Sequence, residues 1–476
     1  MQDKKNWYIT LTLSVGFIAT LVYLGQYALK DVISRQSSEF KMSSTKLYRE
    51  YSAVELGEVK ALNFQSSVSA TGLVRIASDG SFAVVATETG EVLAFDQLGK
   101  SLWRKRMGIG KISCMEVTDD NQMIAIGEES PEGNIMLIRA ADGKIVWKYA
   151  TEQELGSNIQ TGEYPAPSSI AISKQAIYIA VQRRIIAEDR SIQYMSRIYR
   201  YSLEGTVAVY PADGNMDTAI SRIIVSPHDN TVIFGTSNWK PAVKLSYDQT
   251  VYAVQEDLSG VKWQQTVSAK RPYQNTTLRD NPDISDDGTC VAVMTGDGRA
   301  LLYDAADGSL VWQRTLSQPQ EFQGVYINAI GLQARNLGER VLFILGNTHN
   351  RSNYRLPTPV EDLNGNTVFV FDRTGRLLHK HSMGAIGGIE QVALSANRIV
   401  LAIGRNLKTK QEEAHGVYLL PSPYGTEEPE RLAMDGPCQG VAISQDERYI
   451  AALEFPLQLE DGKIIGKYRV HLYKKQ

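Results

Sequence analysis

The feature that most constrains this chain is a phrase that occurs twice. Residues 139–147 read Arg-Ala-Ala-Asp-Gly-Lys-Ile-Val-Trp, and residues 304–312 read Asp-Ala-Ala-Asp-Gly-Ser-Leu-Val-Trp. A sequence built from repeats of about 20 to 50 residues folds as stacked modules, because one module cannot bury its apolar face alone. We therefore predict a repeat protein. Any activity has to be argued from a site placed on that scaffold.

Each repeat is predicted to contain four short strands. In the first clear copy they span 73–77, 82–87, 91–96 and 101–106, with a Ser-Asp-Gly turn at 78–80 and a glycine turn at Gly99. The aromatic side chain four residues after that glycine, Trp103 here, is predicted to lean into the groove between neighbouring repeats. Equivalent glycine turns are expected at Gly143, Gly205, Gly260, Gly308, Gly375 and, in degenerate form, Gly425. Four antiparallel strands per repeat are typical of a propeller blade.

The number of outer strands predicts how the ring closes. Seven repeats are complete, and an eighth begins at Gly440 and stops after three strands. Residues 56–62 resemble an outer strand with its glycine turn and are predicted to supply the missing one, which leaves no open sheet edge. The prediction is an all-β fold, an eight-bladed β-propeller over residues 56–476 closed by an N-terminal strand. A seven-bladed ring is the alternative.

These phrases resemble two known repeat families. The Asp-x-x-Asp-Gly-x-x-x-Trp phrase is similar to the repeat of pyrroloquinoline-quinone-type propellers, and the Ser-x-Asp-Gly turns resemble those of tryptophan-aspartate-repeat propellers. Both resemblances cover most of residues 57–476 and imply architecture rather than function. Quinone-dependent dehydrogenases of the first family use adjacent cysteines, calcium ligands and an Asp base. Here Cys114, Cys290 and Cys438 lie far apart.

No catalytic, cofactor-binding or metal-binding residue is therefore predicted, and the protein is expected not to be an enzyme. The alternative is a ligand-binding or quinone-type propeller enzyme that uses the central channel, with a channel mouth near Pro165, Asn281 and Gln323. A net charge of −3 and a pI near 6.2 provide no basic field for nucleic acid.

The amino terminus is predicted to anchor the chain in a membrane. After a short tail at 1–6, residues 7–29 carry no formal charge and would span about 34 Å as a helix, which matches a bilayer core. Trp7 and Tyr8 at one end and Tyr23 and Tyr27 at the other suit the two interfaces. A cleaved signal peptide is the alternative. Residues 30–55 form a polar tether.

The side of the membrane is less constrained. Two lysines precede the span and five Lys or Arg residues follow it within 30–49, which favours a cytoplasmic propeller. A short N-terminal tail with two lysines normally stays inside, and large domains translocate regardless of their charge. We predict an extracytoplasmic propeller on a single-pass cell-membrane anchor, and the cytoplasmic side stays open.

Long insertions predict a binding face. The connections between strands two and three are long at 182–197, 236–249, 346–366, 404–416 and 455–466, and those between repeats at 151–168 and 268–283. Insertions that share one face of a repeat protein usually mark where it binds. These segments combine Arg with aromatic residues, as protein interfaces do. A solvated surface with balanced charges is the alternative. The candidate partner-binding residues are Arg183, Arg184, Arg190, Arg197, Tyr194, Trp239, Arg271, Tyr273, Arg351, Tyr354 and Arg405.

Together these observations predict a non-enzymatic, membrane-anchored β-propeller. Residues 7–29 would contact lipid, and the insertion-bearing face would bind one or more proteins. Such a protein would act as an interaction scaffold, or as a subunit or assembly factor of a membrane or envelope complex. This role resembles that of the propeller lipoprotein of outer-membrane protein assembly, although the anchor differs.

Overall fold

The structure is a computed structural model of the 476-residue chain. It describes residues 46–63, 73–188, 192–202, 207–237, 248–269, 276, 278–348, 360–383, 388–404, 414–421, 429–459 and 461–476. Residues 45–476 belong to one compact unit. The predicted tail at 1–6, the span at 7–29 and residues 30–45 of the predicted tether lie outside the described residues. In the described part of the chain, no helix is both long and apolar enough to cross a membrane.

Almost all regular structure in the described residues is β-strand. The N-terminal strands and those of the first three complete sheets are β1 (Tyr48–Glu55), β2 (Leu62–Asn63), β3 (Leu73–Ile76), β4 (Phe82–Ala86), β5 (Glu91–Asp96), β6 (Ser101–Arg106), β7 (Lys111–Val117), β8 (Met123–Glu129), β9 (Asn134–Arg139), β10 (Ile145–Ala150), β11 (Pro165–Ile172), β12 (Ala176–Ile186), β13 (Ile192–Ser202) and β14 (Val207–Tyr210). A one-turn helix, α1 (Glu152–Leu155), lies between β10 and β11.

The second half of the chain continues the pattern. Its strands are β15 (Ala219–Val225), β16 (Val232–Ser237), β17 (Gln249–Val254), β18 (Val261–Val267), β19 (Asp283–Ile284), β20 (Cys290–Met294), β21 (Arg299–Asp304), β22 (Leu310–Thr315), β23 (Gln320–Phe322), β24 (Val325–Ile327), β25 (Gly331–Leu337), β26 (Arg340–Leu345), β27 (Thr367–Asp372), β28 (Leu377–Ser382), β29 (Ile389–Leu394), β30 (Ile399–Ile403), β31 (Gly416–Leu420), β32 (Glu430–Ala433), β33 (Cys438–Ile443), β34 (Tyr449–Glu454), β35 (Leu457–Gln458), β36 (Ile464–Ile465) and β37 (Arg469–Lys475).

The described strands form eight four-stranded antiparallel sheets. Seven are consecutive along the chain: β3–β6, β7–β10, β11–β14, β15–β18, β19–β22, β25–β28 and β29–β32. The eighth has the order β33-β34-β37-β1 and joins the two ends of the described chain. Two smaller pairings accompany them, the hairpin β23–β24 and the sheet β2-β35-β36. The strand bounds predicted for the first repeat agree with β3–β6 to within one residue.

The first strand of each sheet lies innermost. β33 contacts β3, β3 contacts β7, and the contacts continue through β11, β15 and β19 to β25, while β29 contacts β33. Three bulge serines join a first strand to the next one or to the segment just before it. The Oγ of Ser113 donates to Pro167 O (2.5 Å), that of Ser168 to Ile220 O (3.0 Å) and that of Ser221 to Asn281 O, two residues before β19 (3.1 Å). Four-stranded sheets packed side by side around their first strands are a β-propeller.

The predicted closure by an N-terminal strand is present, but its predicted position was wrong. The strand that completes the eighth sheet is Tyr48–Glu55, not residues 56–62. It pairs along all of β37, from Tyr48 opposite Lys475 to Glu55 opposite Arg469. Because β37 is then fully paired, the chain leaves the sheet after Glu55, and Leu62–Asn63 instead pairs in parallel with β35. The polar segment predicted as a tether therefore contributes its last eight residues to a sheet.

Both copies of the repeated phrase accept a tryptophan of the preceding sheet, although the indole nitrogen of Trp147 makes no such bond to the sheet that follows it. The indole N–H of Trp103 donates to Ala140 O of the following sheet (2.7 Å), and Trp263 donates to Ala305 O in the same way (2.8 Å). The turn glycine beside each acceptor faces the ring, because a Cβ on Gly143 would lie 2.8 Å from Trp103. The prediction that the tryptophan leans into the groove is thus confirmed. The glycine has no side chain, and this leaves room for the ring.

One predicted glycine turn differs. Gly260 lacks the left-handed conformation, and Leu258 adopts it instead, with φ of 63°. The Leu258 side chain is buried in the core between the sheets β11–β14 and β15–β18. Burial of this side chain offsets the unfavourable conformation. Because Leu258 and not Gly260 is the left-handed residue of this turn, the spacing from Gly260 to Trp263 differs from that of the other described repeats.

Candidate protein-interaction surface

Most long connections leave one edge of their sheets, which we call the loop edge. In an up-and-down sheet, the connection between strands two and three starts at the same edge as the connection to the next sheet. The connections at 346–366, 404–415, 455–468, 151–164 and 268–282 all belong to this class. So do α1, the hairpin β23–β24 and the small sheet β2-β35-β36. The opposite edge, the turn edge, carries short turns such as Ser78–Gly80 and one longer connection, 421–429, most of which lies outside the described residues.

A β-hairpin extends from this edge. The segment 182–197, predicted as an insertion loop, is mostly strand, because β12 and β13 pair in continuous register from Ala176–Ser202 out to Ile186–Ile192. The neighbouring strand β11 ends its pairing at Arg183. Residues 184–186 and 192–195 therefore project beyond the four-stranded part of the sheet.

Arg183 braces the hairpin from one side. Its side chain is only 15% exposed, donates to the carbonyl oxygen of Leu155 in α1 (3.1 Å) and lies 3.7 Å from a carboxylate oxygen of Glu163. The other Glu163 oxygen accepts the backbone N–H of Ile186 (2.8 Å), and this bond helps to hold the Glu163 pKa below its ordinary value. These contacts are internal, so the guanidinium of Arg183 stabilises the hairpin.

Arg197 braces the other side. Its Nε donates to Gly214 O (2.9 Å) and to the side-chain oxygen of Asn215 (2.8 Å), both in the connection that leads to the next sheet. The backbone of Ser196 exchanges two hydrogen bonds of 3.0 Å with Met216 in the same connection. The hairpin is thus fixed to structure on both flanks, which favours a preformed surface over a flexible loop.

The outward side of the hairpin carries the remaining two described candidates. Arg184 is exposed and lies opposite Tyr194, which is half-buried. Burial raises the pKa of Tyr194, and the positive charge of Arg184 opposes that rise, as expected for neighbouring side chains. Ile186, two residues beyond Arg184 on the same strand face, is 53% exposed. Ile159, in the connection that Glu163 ties to the hairpin, is 73% exposed. We call Arg184, Tyr194, Ile186 and Ile159 the hairpin patch.

The other predicted site residues cannot be placed. Arg190, Trp239, Arg271, Tyr273, Arg351, Tyr354 and Arg405 lie outside the described residues. The two isoleucines of the hairpin patch were not predicted. Ile159 lies in the polar run Asn158-Ile159-Gln160-Thr161, and an isolated apolar residue in a polar loop is the sequence signal that could have identified it.

We expect replacement of Arg183 to loosen the hairpin locally. In Arg183→Ala, the backbone amides of 184–186 and 192–195 should exchange with deuterium at least about tenfold faster than in the wild-type protein. The reason is that the contacts of Arg183 with Leu155 and Glu163 are lost, and charged hydrogen bonds contribute about 1.5–3 kcal/mol each. Arg184→Ala is the matched control, since Arg184 is exposed on the neighbouring position. Hydrogen–deuterium exchange with mass spectrometry checks this. Equal protection in both variants would contradict the brace.

The wall of the central channel carries a second cluster of charged residues. Arg75 on β3 donates to Glu116 on β7 (2.7 Å). On the other side, Arg222 donates to Asp280 (3.0 Å) and Asp283 (3.1 Å), and Arg335 also binds Asp280. These six side chains come from the first strands of five sheets or the segments just before them, with β11 between β7 and β15 contributing none, and contain three positive and three negative groups.

The network reaches across the channel. Burial lowers the pKa of Arg75, but Glu116 and then Asp280, three sheets beyond β7, raise it above its ordinary value. Burial raises the pKa of Asp280, but Arg335 and Arg222 hold it well below its ordinary value. The charges in the channel wall thus neutralise each other. In the described part of the chain, no group of three or more His, Cys, Asp or Glu side chains is arranged to hold a metal ion.

The sheets, the closing strand and the loop edge define a β-propeller of the repeat type. The family model described as outer membrane protein assembly factor BamB matches residues 50–184, 88–331 and 247–406, in overlapping segments as repeats produce. The chain belongs to this family. The crystal structure of BamB from Moraxella catarrhalis is similar, with a TM-score of 0.53 and 12% identity over 90% of this chain and 99% of that chain. At this identity, the similarity shows the fold alone. A comparison with curated proteins found no match.

Proposed function

We propose that this protein is a non-enzymatic, membrane-anchored β-propeller with eight blades. It acts as a protein-interaction scaffold, or as a subunit or assembly factor of a membrane or envelope complex. Each of the eight four-stranded sheets would be one blade, and β1 would close the ring. Residues 7–29 would hold the protein in the cell membrane, with the propeller on the extracytoplasmic side. Membership of a family described as an outer membrane protein assembly factor supports this role.

The hairpin patch is the observation that carries the proposal. It combines Arg184, Tyr194 and Ile186 on a hairpin that Arg183 and Arg197 brace on both flanks with the exposed Ile159 of the connection that Glu163 ties to the hairpin. Arg and Tyr are among the residues most enriched in binding hot spots, and apolar side chains beside them supply the area that a partner buries. A preformed surface of this kind loses little entropy on binding.

The channel network supports a scaffold over an enzyme. The arginines and carboxylates in the channel wall are bound to one another, for example Arg222 to Asp280 and Asp283. A quinone-type cofactor would have to replace these ion pairs, and breaking a partly buried pair costs several kcal/mol unless the ligand restores it. The ion pairs of the channel wall therefore favour the scaffold over the alternative of an enzyme that uses the central channel.

We expect charge reversal at the hairpin patch to remove the partner. The full-length protein should be purified from its host membrane, and the proteins bound to it quantified by mass spectrometry. Arg184→Glu combined with Ile186→Asp should reduce the recovery of a specific partner at least about tenfold, or about 1.4 kcal/mol of binding free energy. Lys144→Glu combined with Lys174→Glu, exposed on the turn edge, is the matched control.

The control should retain the partner. If the turn-edge variant loses it and the hairpin-patch variant keeps it, the loop edge is not the binding surface. If both variants keep every bound protein, the hairpin patch is not the binding surface. If the wild-type protein recovers no specific partner, the scaffold role itself fails.

A further inference from the structure

The sheet β11–β14 has an alanine where other sheets have an aromatic residue on the fourth strand. In the other sheets that residue lies opposite the position two residues before the end of strand three: Trp103 opposite Ala94, Trp147 opposite Leu137, Trp312 opposite Leu302 and His379 opposite Val370. In β11–β14 the equivalent residue of strand three is Arg200, and Ala208 lies opposite it. Ala208 shares its strand face with Tyr210, which packs in the core toward the sheet β15–β18. A methyl group thus replaces an aromatic ring in the groove between these two sheets.

The hydrogen bond of the missing ring is made by another residue. In the first sheet, the indole of Trp103 donates to Ala140 O, which belongs to the turn between strands three and four of the next sheet. The corresponding carbonyl of the sheet β15–β18 belongs to Glu256, because Glu256 follows Gln255 at the start of the same turn. This carbonyl accepts the hydroxyl of Tyr178 on β12 (3.0 Å). The acceptor is therefore satisfied, but the space of the ring is left.

An open cavity of about 430 Å³ lies at this place, on the turn edge. Arg200 forms one side of it, and the turn 255–257 of the next sheet forms the other. Gln175, Asp229 and Lys262 complete the lining, so the walls are polar and charged. A volume of this size is sufficient for a small molecule, since small-molecule sites begin at about 300 Å³.

Most charged groups of the cavity are already bonded. Asp229 accepts a hydrogen bond from Nζ of Lys262 (2.8 Å), and Asp257 accepts the backbone N–H of Ser259 (2.9 Å). A ligand that bound these groups would have to replace bonds that exist without it, and it would gain little.

Arg200 and Glu256 have free hydrogen-bonding capacity. Among the described residues, Arg200 donates through Nε alone, to the hydroxyl of Tyr178 (3.4 Å). Its Nη2 lies 3.9 Å from a carboxylate oxygen of Glu256, beyond hydrogen-bond distance. That oxygen is buried, and the other one also accepts no hydrogen bond from the described residues. A guanidinium and a carboxylate side by side, each with free capacity, are complementary to a carboxylate and an ammonium group that are themselves adjacent.

We infer that this cavity, the Arg200 cavity, binds a free α-amino acid. The two Nη groups of Arg200 would bind the α-carboxylate, and Glu256 would bind the α-ammonium group. Gln175 is exposed at the cavity and would bond to a polar side chain of the ligand. The inference goes beyond the proposed scaffold function and does not depend on it.

Ligand-observed saturation-transfer NMR on the full-length protein tests this with three probes. L-glutamine carries both charges, N-acetyl-L-glutamine lacks the ammonium group, and L-glutamine amide lacks the α-carboxylate. We expect L-glutamine to bind at least about tenfold more tightly than either analogue, because each analogue leaves one charge of the cavity unpaired. Equal binding of the three probes, or binding of none of them, overturns the inference.

Restoring the aromatic residue should close the cavity. Ala208→Trp should remove the binding of L-glutamine, because the indole would fill the groove as Trp103 does in the first sheet. Val207→Trp is the matched control and should keep the binding, since Val207 lies opposite Tyr201 and faces the other side of the sheet. L-glutamine binding that is equal in both variants overturns the inference.

Arg200→Gln provides a second variant that leaves the packing of the groove in place. It should weaken the binding of L-glutamine at least about tenfold, because the α-carboxylate loses its charged donor. The melting temperature should change little, since the contacts of Arg200 with Tyr178 and Glu256 are long. Wild-type affinity in this variant, or a large fall of the melting temperature that marks Arg200 as a structural residue, contradicts the assigned role.

Discussion

Replacing Glu454 by alanine is expected to destabilise the protein by about 3–5 kcal/mol, the cost of leaving buried charged partners uncompensated. The Glu454 side chain is fully buried. One carboxylate oxygen accepts the backbone N–H of Gly436 (2.6 Å), and the other binds Arg469 and Nε2 of His471 (2.8 Å). The second ring nitrogen of His471 lies 2.6 Å from Glu50 on β1. Glu454 thus anchors the residues through which the closing strand joins its sheet.

Chemical denaturation with urea measures this effect. Glu55→Ala is the matched control, because Glu55 lies on the same closing strand but pairs with Lys467 in solvent, and little change is expected there. The pH dependence gives a second readout. Burial raises the pKa of Glu454, but His471, Arg469 and Gly436 hold it at about 2. A folded-state pKa below the unfolded value of about 4.3 stabilises the protein above that pH, and the contribution is lost as pH falls toward 2. A variant as stable as the control would show that this cluster does not hold the closing strand.

The second large effect is expected at the glycine of the repeated phrase. Gly308→Ala should destabilise the protein by about 3 kcal/mol, from two causes. Gly308 has a φ of 74°, which costs an alanine about 1–2 kcal/mol. The new Cβ would also lie 2.7 Å from the ring of Trp263, and overpacking of this kind costs about 1–3 kcal/mol. The midpoint of urea unfolding checks the sum.

Two other glycines separate these causes. Gly338 has a φ of 56° but open space around its Cβ position, so Gly338→Ala should show only the conformational cost of about 1 kcal/mol. Gly260 has neither the left-handed conformation nor a close neighbour, so Gly260→Ala should be neutral or slightly stabilising. If Gly308→Ala and Gly338→Ala cost the same, the contact between the glycine and the tryptophan of the preceding sheet contributes nothing.

The repeat made most of the fold predictable. Strand positions, short turns and the place of each tryptophan are set by local periodicity and turn chemistry, and these agree with the structure in the first repeat to within one residue. The position of the closing strand could not be predicted from local patterns, because its pairing partners lie far away in the sequence. Glu50 meets His471, which lies 421 positions later in the chain. Residues 56–62 match the local glycine pattern better than residues 48–55 do. Which segment becomes the closing strand is nevertheless decided by pairing along β37, which is a tertiary interaction.

The candidate surface was predictable in part. Insert lengths indicated the loop edge, since connection length is visible in the sequence. The division of roles between Arg183 and Arg184 was not visible. The two are adjacent and chemically equal, and only the position of Leu155 and Glu163 decides which one turns inward. The charge network of the channel was also missed, because Arg75, Glu116 and Asp280 come from separate repeats and meet only when the sheets pack into a ring.

The central claim is that a closed propeller presents its loop edge to a protein partner. The most direct measurement is photo-cross-linking of the full-length protein in its native membrane, with the cross-linking residue placed at Gln193 or Tyr194 on the hairpin and at Gln175 or Lys174 on the opposite edge of the same sheet. We expect one specific cross-linked protein at the hairpin positions and none at the turn positions. Cross-links to that protein from the turn positions alone would contradict it.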